Sequence, residues 1–110
     1  MSSLQKQRYI YFATAKDDAE GRIKIGCSYL PARRLEALSI WSPYPVTIIA
    51  VAPGDFTIER QLHDYFHADR LHREWFCSSP ALLFVINQMS SGVPFGEAVA
   101  RLEGQKARAA

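Results

Sequence analysis

The segment RIKIGCSYLPARRLEAL, residues 22–38, decides how this chain folds. Its first residues alternate polar and apolar side chains up to Gly26, the pattern of a β-strand with one buried face. Ser28 and Pro31 follow, and both residue types are favoured at the start of a helix. The segment therefore predicts a strand that leads into a helix of about residues 31–40. The apolar stripe of this helix comprises Leu30, Leu35, Leu38 and Trp41.

A second strand is predicted just before this segment. Residues 8–14, RYIYFAT, also alternate, and the polar segment AKDDAEG joins the two runs as the loop of an antiparallel hairpin. Because side chains alternate between the two faces of a strand, the hairpin residues separate into two sets. The expected core face carries Ile10, Phe12, Ile23, Ile25 and Cys27. The opposite face carries Tyr9, Tyr11, Lys24 and Gly26.

The rest of the chain completes a small domain. VTIIAVA, residues 46–52, is apolar enough for a strand covered on both faces, and EWF, residues 74–76, is a short extended piece. Helices are expected at about residues 56–68, after Ser79-Pro80, and at about residues 94–104, with a disordered tail over residues 105–110. The predicted fold is one α/β domain over residues 1–110, with a small antiparallel sheet of about three strands flanked by helices.

Composition excludes some classes of protein. The chain has 110 residues and a net charge of +2, so its total charge gives no argument for nucleic-acid binding. No apolar run reaches the length of about 18 residues that a membrane span needs. The N-terminal residues MSSLQKQR lack the apolar stretch of a signal peptide. We therefore expect a cytoplasmic protein without a membrane partner.

Gly26 and Arg34 are the first candidates for function. Without a side chain, Gly26 leaves an open spot beside Tyr11 and Lys24, where a phosphate or another strand could approach the backbone. The alternative is an ordinary sheet face whose tyrosines pack under a neighbouring helix. Arg34 lies at the edge of the apolar stripe, and its planar guanidinium is well suited to bind phosphate.

The predicted helix over residues 56–68 adds candidate metal ligands. Glu59, His63 and His67 are spaced four residues apart and therefore share one face. A structural zinc site would lack a fourth ligand, whereas one carboxylate is enough to hold a hydrated magnesium ion. The alternative is that Glu59 stabilises the first turn of the helix through the helix dipole, and that both histidines are structural.

Taken in order, these residues resemble the motifs of the GIY-YIG nuclease domain. YIY at residues 9–11 stands in the place of the first motif and KIG at residues 24–26 in the place of the second. Arg34 follows eight residues after the glycine of KIG, and Glu59 stands where the family has its metal-binding glutamate. The combination of KIG, IERQLHDYF and EWF is most similar to a phage and bacterial subgroup. The resemblance covers about residues 8–86.

The resemblance implies an endonuclease that hydrolyses DNA with one Mg²⁺ or Mn²⁺ ion per site. In this interpretation Glu59 holds the ion and Arg34 neutralises phosphoryl charge. Tyr11 or Lys24 activates the water, and Gly26 leaves room for the scissile phosphate. The other residues expected to contact phosphate are Tyr9, Arg33, His63, Arg70 and Arg73. The implied location is the cytoplasm of a bacterial cell or of a phage-infected host.

Departures from the family pattern leave alternatives open. Tyr9 replaces the glycine of the first motif, and Lys24 replaces the tyrosine of the second. A lysine with a lowered pKa would have to act as the base unless Tyr11 takes that role. The alternatives are a nucleic-acid-binding module that does not cut, and an accessory protein that acts through a protein partner. RNA, branched DNA and modified DNA stay open as substrates, as does a homodimer.

Overall fold

An antiparallel sheet of five strands forms the centre of the chain. The computed structural model describes residues 7–40 and 45–109. The strands are β1 (Tyr9–Ala15), β2 (Ile23–Ser28), β3 (Val46–Pro53), β4 (Arg70–His72) and β5 (Trp75–Phe76). Their order across the sheet is β3-β1-β2-β5-β4. The predicted α/β class is confirmed, but the sheet has five strands rather than about three, because β5 pairs with both β2 and β4.

Four helices accompany the sheet. They are α1 (Pro31–Ile40), α2 (Phe56–Tyr65), α3 (Pro80–Ser90) and α4 (Phe95–Ala109). The chain continues from α2 into a short 3₁₀ turn, His67–Asp69, so the helix predicted to reach residue 68 is too long. Within the described ranges, no helix has the length and apolar character needed to cross a membrane.

The C-terminal helix is longer than the sequence predicts. α4 continues through Gly104, so the expected end near residue 104 and the disordered tail are wrong for residues 105–109. One glycine costs a helix only about 1 kcal/mol, and the residues that follow it, QKARA, are good helix formers.

The β1–β2 hairpin is formed as predicted. Its register places Tyr11 opposite Gly26 and Phe12 opposite Ile25. In the loop, the Asp18 carboxylate accepts hydrogen bonds from the backbone N–H groups of Glu20 and Arg22. The Asp18 side chain therefore stabilises the loop that closes the hairpin.

Both faces of the sheet are covered, and the predicted division of the hairpin residues is confirmed. One face carries the main core, in which α2, α3 and α4 pack on the sheet. Its hairpin residues are Ile10, Phe12, Ile23 and Ile25, with the half-buried Cys27 beside them. On the opposite face, Tyr11 and Ala13 pack under Leu35 and Leu38 of α1. The other members of the predicted stripe differ, because Leu30 is exposed and Trp41 lies outside the described residues.

β3 is an edge strand rather than a strand covered along its whole length. The pairing with β1 shifts at Ile49, because Phe12 faces Ala50 whereas Ala13 faces Ile48. A bulge of one residue reverses which face the following side chains occupy. Ile48 therefore packs on the α1 side and Ala50 on the opposite side, while Ile49 is exposed. Residues 46–52 are nearly all apolar because the strand buries side chains on one face before the bulge and on the other face after it.

α4 joins the main core through two helices. Its buried residues Ala98 and Leu102 belong to the same apolar cluster as Ile86 and Met89 of α3. The hydroxyl group of Tyr65, at the end of α2, donates a hydrogen bond to the Glu103 carboxylate. α4 thus holds both α3 and α2 in place.

Candidate active site

A cleft with a volume of about 330 Å³ opens beside the ends of β1 and β2. It contains three of the four side chains predicted to be catalytic, namely Tyr11, Arg34 and Glu59. These residues come from β1, α1 and α2, so the fold brings together residues that lie up to 48 positions apart, from 11 to 59. The full lining consists of Arg8, Tyr11, Cys27, Ser28, Tyr29, Arg34, Phe56, Glu59 and Glu74.

Tyr11 occupies the space above Gly26. A Cβ atom added to Gly26 would lie 2.4 Å from both the Cζ and the hydroxyl oxygen of Tyr11. The ring of Tyr11 therefore fills the predicted open spot at Gly26, so the space expected there for a phosphate is occupied. The glycine instead lets the Tyr11 ring cross the neighbouring strand and place its hydroxyl in the cleft.

The two adjacent arginines of α1 have different surroundings. Both are exposed, but Arg34 lines the cleft with its guanidinium facing the Tyr11 hydroxyl, whereas Arg33 lines no part of the cleft. Ser28 does not cap α1 directly but accepts a hydrogen bond from the N–H of Leu30, which shapes the turn before the helix. Burial raises the pKa of Tyr11 and Glu74 raises it further, while Arg34 partly opposes the increase.

Glu59 lies on the first turn of α2. Asp55 caps this helix and accepts hydrogen bonds from the N–H groups of Thr57 (3.0 Å) and Ile58 (3.1 Å). The Glu59 side chain is half-buried, and within residues 7–40 and 45–109 it has no hydrogen-bond or ion-pair partner. Burial raises the pKa of its carboxyl and the charge of Glu74 raises it further. Such an unpaired carboxylate fits a divalent cation that keeps most of its water ligands.

Lys24 is held by Glu74, a residue that the sequence interpretation missed. The Nζ of Lys24 lies 2.6 Å from the Oε1 of Glu74, and their side chains are 11% and 42% exposed. Glu74 lines the cleft, whereas Lys24 does not. The charged partner of this lysine is thus an anion, whereas its predicted role as a base relied on burial or on neighbouring cations.

The predicted row of metal ligands does not assemble. The Nε2–H of His63 donates to the carbonyl oxygen of Ile25 (3.2 Å), and its ring packs edge-on against Phe76. His67 belongs to the 3₁₀ turn and so leaves the helical row. Among the described residues, no group of three or more potential ligands is arranged to hold a metal ion. His63 is thus bonded to the sheet backbone, and its predicted contact with phosphate stays a prediction.

A second depression continues from the cleft along α2 and the β4–β5 hairpin. We call it the arginine groove, because Arg60, Arg70 and Arg73 line it together with His63. It has a volume of about 790 Å³ and shares Glu59 with the cleft. The remaining lining residues are Phe56, Asp64 and Glu74.

Arg73 has an unusual backbone conformation in the turn between β4 and β5. Its φ of +52° lies in the left-handed region, which glycine or asparagine adopts more easily than arginine. Its carbonyl oxygen accepts a hydrogen bond from the Nε of Arg70. This turn presents both arginines to the groove and places Glu74 against Lys24.

Two predicted phosphate contacts lie elsewhere, and several lining residues were missed. Tyr9 pairs with Ser28 and Pro53 in the sheet and, like Arg33, lines neither the cleft nor the groove. The missed lining residues with polar or aromatic character include Arg8, Tyr29, Phe56, Arg60 and Glu74. Glu74 carried a usable signal in the EWF motif, whereas the others have no motif of their own.

The T5orf172 domain matches residues 8–90, from the residue before β1 to the last residue of α3. No curated protein and no solved structure matches the chain significantly. The T5orf172 domain is phage-associated and is linked to nuclease-like folds. Because the match spans well over half of the sequence and includes every residue of the cleft, the chain belongs to the T5orf172 domain family.

Proposed function

We propose that this protein is a divalent-metal-dependent endonuclease that hydrolyses DNA phosphodiester bonds at a single GIY-YIG-type site. The observation that supports this function is the meeting of Tyr11, Arg34 and Glu59 in one cleft. The cleft opens on the arginine groove, whose three arginines can contact a nucleic-acid backbone. A hydroxyl, a guanidinium and an unpaired carboxylate are the groups that phosphodiester hydrolysis needs.

Arg34 and Tyr11 bind the scissile phosphate. The guanidinium donates hydrogen bonds to the nonbridging oxygens and stabilises the charge that increases on them in the transition state. Because its pKa is raised, Tyr11 is a neutral phenol at physiological pH, and it acts as a hydrogen-bond donor rather than as a base. Tyr11 therefore orients the phosphate or the attacking water.

Glu59 would hold one Mg²⁺ or Mn²⁺ ion, beside Glu74, whose charge acts on the Glu59 carboxyl. When bound, the cation polarises the phosphate and stabilises the leaving oxygen. Both carboxylates line the cleft and the groove, which supports an ion site where the two depressions join.

Glu74 accepts the proton from the attacking water. One of its oxygens accepts a hydrogen bond from Lys24, which leaves the other oxygen free to act as a general base. Lys24 then orients the carboxylate and does not itself take the proton. This assignment gives the lysine that replaces the family tyrosine a role that fits its ion pair.

The arginine groove positions the DNA backbone. Arg60, Arg70 and Arg73 contact phosphates beside the cut and carry no sequence preference. A single site with one metal ion cuts one strand per event, so a double-strand break needs two copies of the protein or two events.

Nicking of supercoiled plasmid in Mg²⁺ or Mn²⁺ tests the proposal. We expect Glu59→Gln and Arg34→Ala to lower the nicking rate by about 100-fold or more. Arg33→Ala is the matched control, because it removes the same charge from the same helix outside the cleft. Circular dichroism checks that each variant is folded. Equal cutting by all variants, or no cutting by the wild type with any divalent ion, would contradict the proposal.

A nucleic-acid-binding module that does not cut is the second candidate. The observation that favours it is that neither predicted base is free, because Tyr11 has a raised pKa and Lys24 is paired with Glu74. This function predicts salt-dependent DNA binding that needs the groove arginines, and no nicking with any metal ion.

A further inference from the structure

The guanidinium of Arg8 lies over two aromatic rings in the lining of the cleft. Its Cζ lies 4.4 Å from the ring centroid of Tyr29 and 4.6 Å from that of Phe56. The three residues come from the chain before β1, the turn after β2 and the first position of α2. The carbonyl oxygen of Arg8 accepts a hydrogen bond from Gly54, which fixes its backbone beside α2.

This cluster is open to solvent and carries an uncompensated charge. Phe56 is 54% exposed and Tyr29 is 40% exposed. Within residues 7–40 and 45–109, the guanidinium of Arg8 forms no hydrogen bond and no ion pair. A guanidinium that packs on aromatic rings keeps its N–H groups available to an anion.

The position of Phe56 connects this cluster to the proposed chemistry. Phe56 lines both the cleft and the arginine groove, and Glu59 follows it by one helical turn on α2. Side chains three positions apart on a helix are separated by about 5–6 Å. Neighbouring nucleotides of a stacked DNA strand are about 3.4 Å apart, so this distance corresponds to between one and two nucleotides. A nucleotide next to the scissile phosphate can therefore reach Phe56.

We propose that Arg8, Tyr29 and Phe56 bind an unpaired nucleotide directly beside the cut, so that the substrate is a single-stranded or branched DNA. The proposal rests on the endonuclease function above. The nucleotide's phosphate accepts hydrogen bonds from Arg8, and its base stacks on the exposed face of Phe56. In a continuous duplex both faces of each base are covered by neighbouring bases, so only an unpaired base offers a face to the ring.

Binding without metal tests this proposal separately from cleavage. Fluorescence anisotropy in EDTA compares three labelled probes, namely a duplex, the same duplex with a single-stranded flap, and the flap oligonucleotide alone. The proteins are the wild type, Phe56→Ala, Phe56→Trp and Arg8→Ala. Leu83→Ala is the control, because Leu83 is an exposed apolar residue of α3 outside the cleft. 2-Aminopurine at the junction reports stacking directly, since stacking quenches its fluorescence.

We expect Phe56→Ala to weaken flap and single-strand binding by about 5- to 150-fold, the range for loss of one stacked base, and to remove the quenching. Phe56→Trp keeps a ring and retains both signals. Arg8→Ala weakens binding of the same two probes, while Leu83→Ala changes nothing. Equal weakening on duplex and flap, or unchanged quenching in Phe56→Ala, would overturn the proposal.

Failure of this proposal is distinct from failure of the endonuclease function. Metal-dependent nicking of plasmid with no preference for flap or single strand would overturn only the nucleotide site. No DNA binding and no nicking would overturn both. Tighter binding of a polyglutamate peptide than of any DNA probe, with loss in Arg8→Ala, would assign the cluster to a protein partner instead.

Discussion

Tyr11 and Gly26 are partners across the β1–β2 hairpin, and the ring of Tyr11 lies directly over the glycine. The position that a phosphate was expected to occupy thus serves to bring the tyrosine hydroxyl into the cleft. Arg34 then faces that hydroxyl from α1. The position of the Tyr11 hydroxyl therefore depends on the absence of a side chain at Gly26.

Gly26→Ala should therefore damage the domain as well as its function. The added methyl group would lie 2.4 Å from Tyr11, so we expect a loss of about 1–3 kcal/mol in the free energy of unfolding by urea titration. Combined with Tyr11→Ala, the substitution should cost much less, because the clash is gone. Gly104→Ala is the control, since it has open space in α4 and should stabilise by about 0.5–1 kcal/mol. If the free-energy changes of Gly26→Ala and Tyr11→Ala were fully additive, the contact between these two positions would be unimportant.

Substitutions in the Lys24–Glu74 pair distinguish which of the two residues takes the proton from the attacking water. If Glu74 takes the proton, Glu74→Gln should lower the nicking rate by about 100-fold or more. Lys24→Met should then lower the nicking rate by a smaller factor. If Lys24 is the base, Lys24→Met abolishes nicking and Glu74→Gln does not. Single-turnover nicking rates from pH 5 to 9 with both variants decide between them. DNA affinity without metal serves as the control and should change little in either variant.

Glu59→Gln should raise stability while it removes activity. The pKa of Glu59 is raised above its unfolded value, so the charged carboxylate costs stability as pH rises through that pKa. Without metal, the Gln variant should melt at a higher temperature than the wild type at pH 8, and the gap should shrink toward pH 4 as the wild type becomes protonated. Thermal melts in EDTA measure this. Added Mg²⁺ should raise the melting temperature of the wild type only, and a response in both proteins would place the ion elsewhere.

Arg73→Gly should act on stability and DNA binding in opposite directions. Glycine adopts the φ of +52° without strain, so we expect a gain of about 0.5–1 kcal/mol in the free energy of unfolding. Loss of one phosphate contact should lower the slope of log affinity against log salt concentration by about 1. Arg33→Ala should leave that slope unchanged. An unaltered slope in Arg73→Gly would remove this residue from the DNA interface.

Much of the fold could be predicted from side-chain periodicity. The alternation in residues 8–14 and 22–27 gives the correct faces for Ile10 and Tyr11, because burial of one face imposes period two on the sequence. The bulge at Ile49 could not be predicted in this way. A strand that changes face halfway has the same apolar composition as a strand covered on both faces.

The sequence identified single residues of the candidate site but not the contacts between residues that lie far apart in the chain. Arg34 and Glu59 have distinctive spacings and do line the cleft. The filling of the space at Gly26 depends on hairpin register, which periodicity alone does not fix. The contact between Lys24 and Glu74 joins residues 50 positions apart, and it exists only because β5 pairs with β2.

The segment shared with the T5orf172 family ends at Ser90, but the cooperative unit extends further. α4 buries Ala98 and Leu102 against Met89, and it anchors α2, the helix that carries Glu59, through Tyr65. A chain cut at the end of the shared segment would expose this apolar seam to water and invite aggregation. In this chain, the family match therefore ends before the apolar core does.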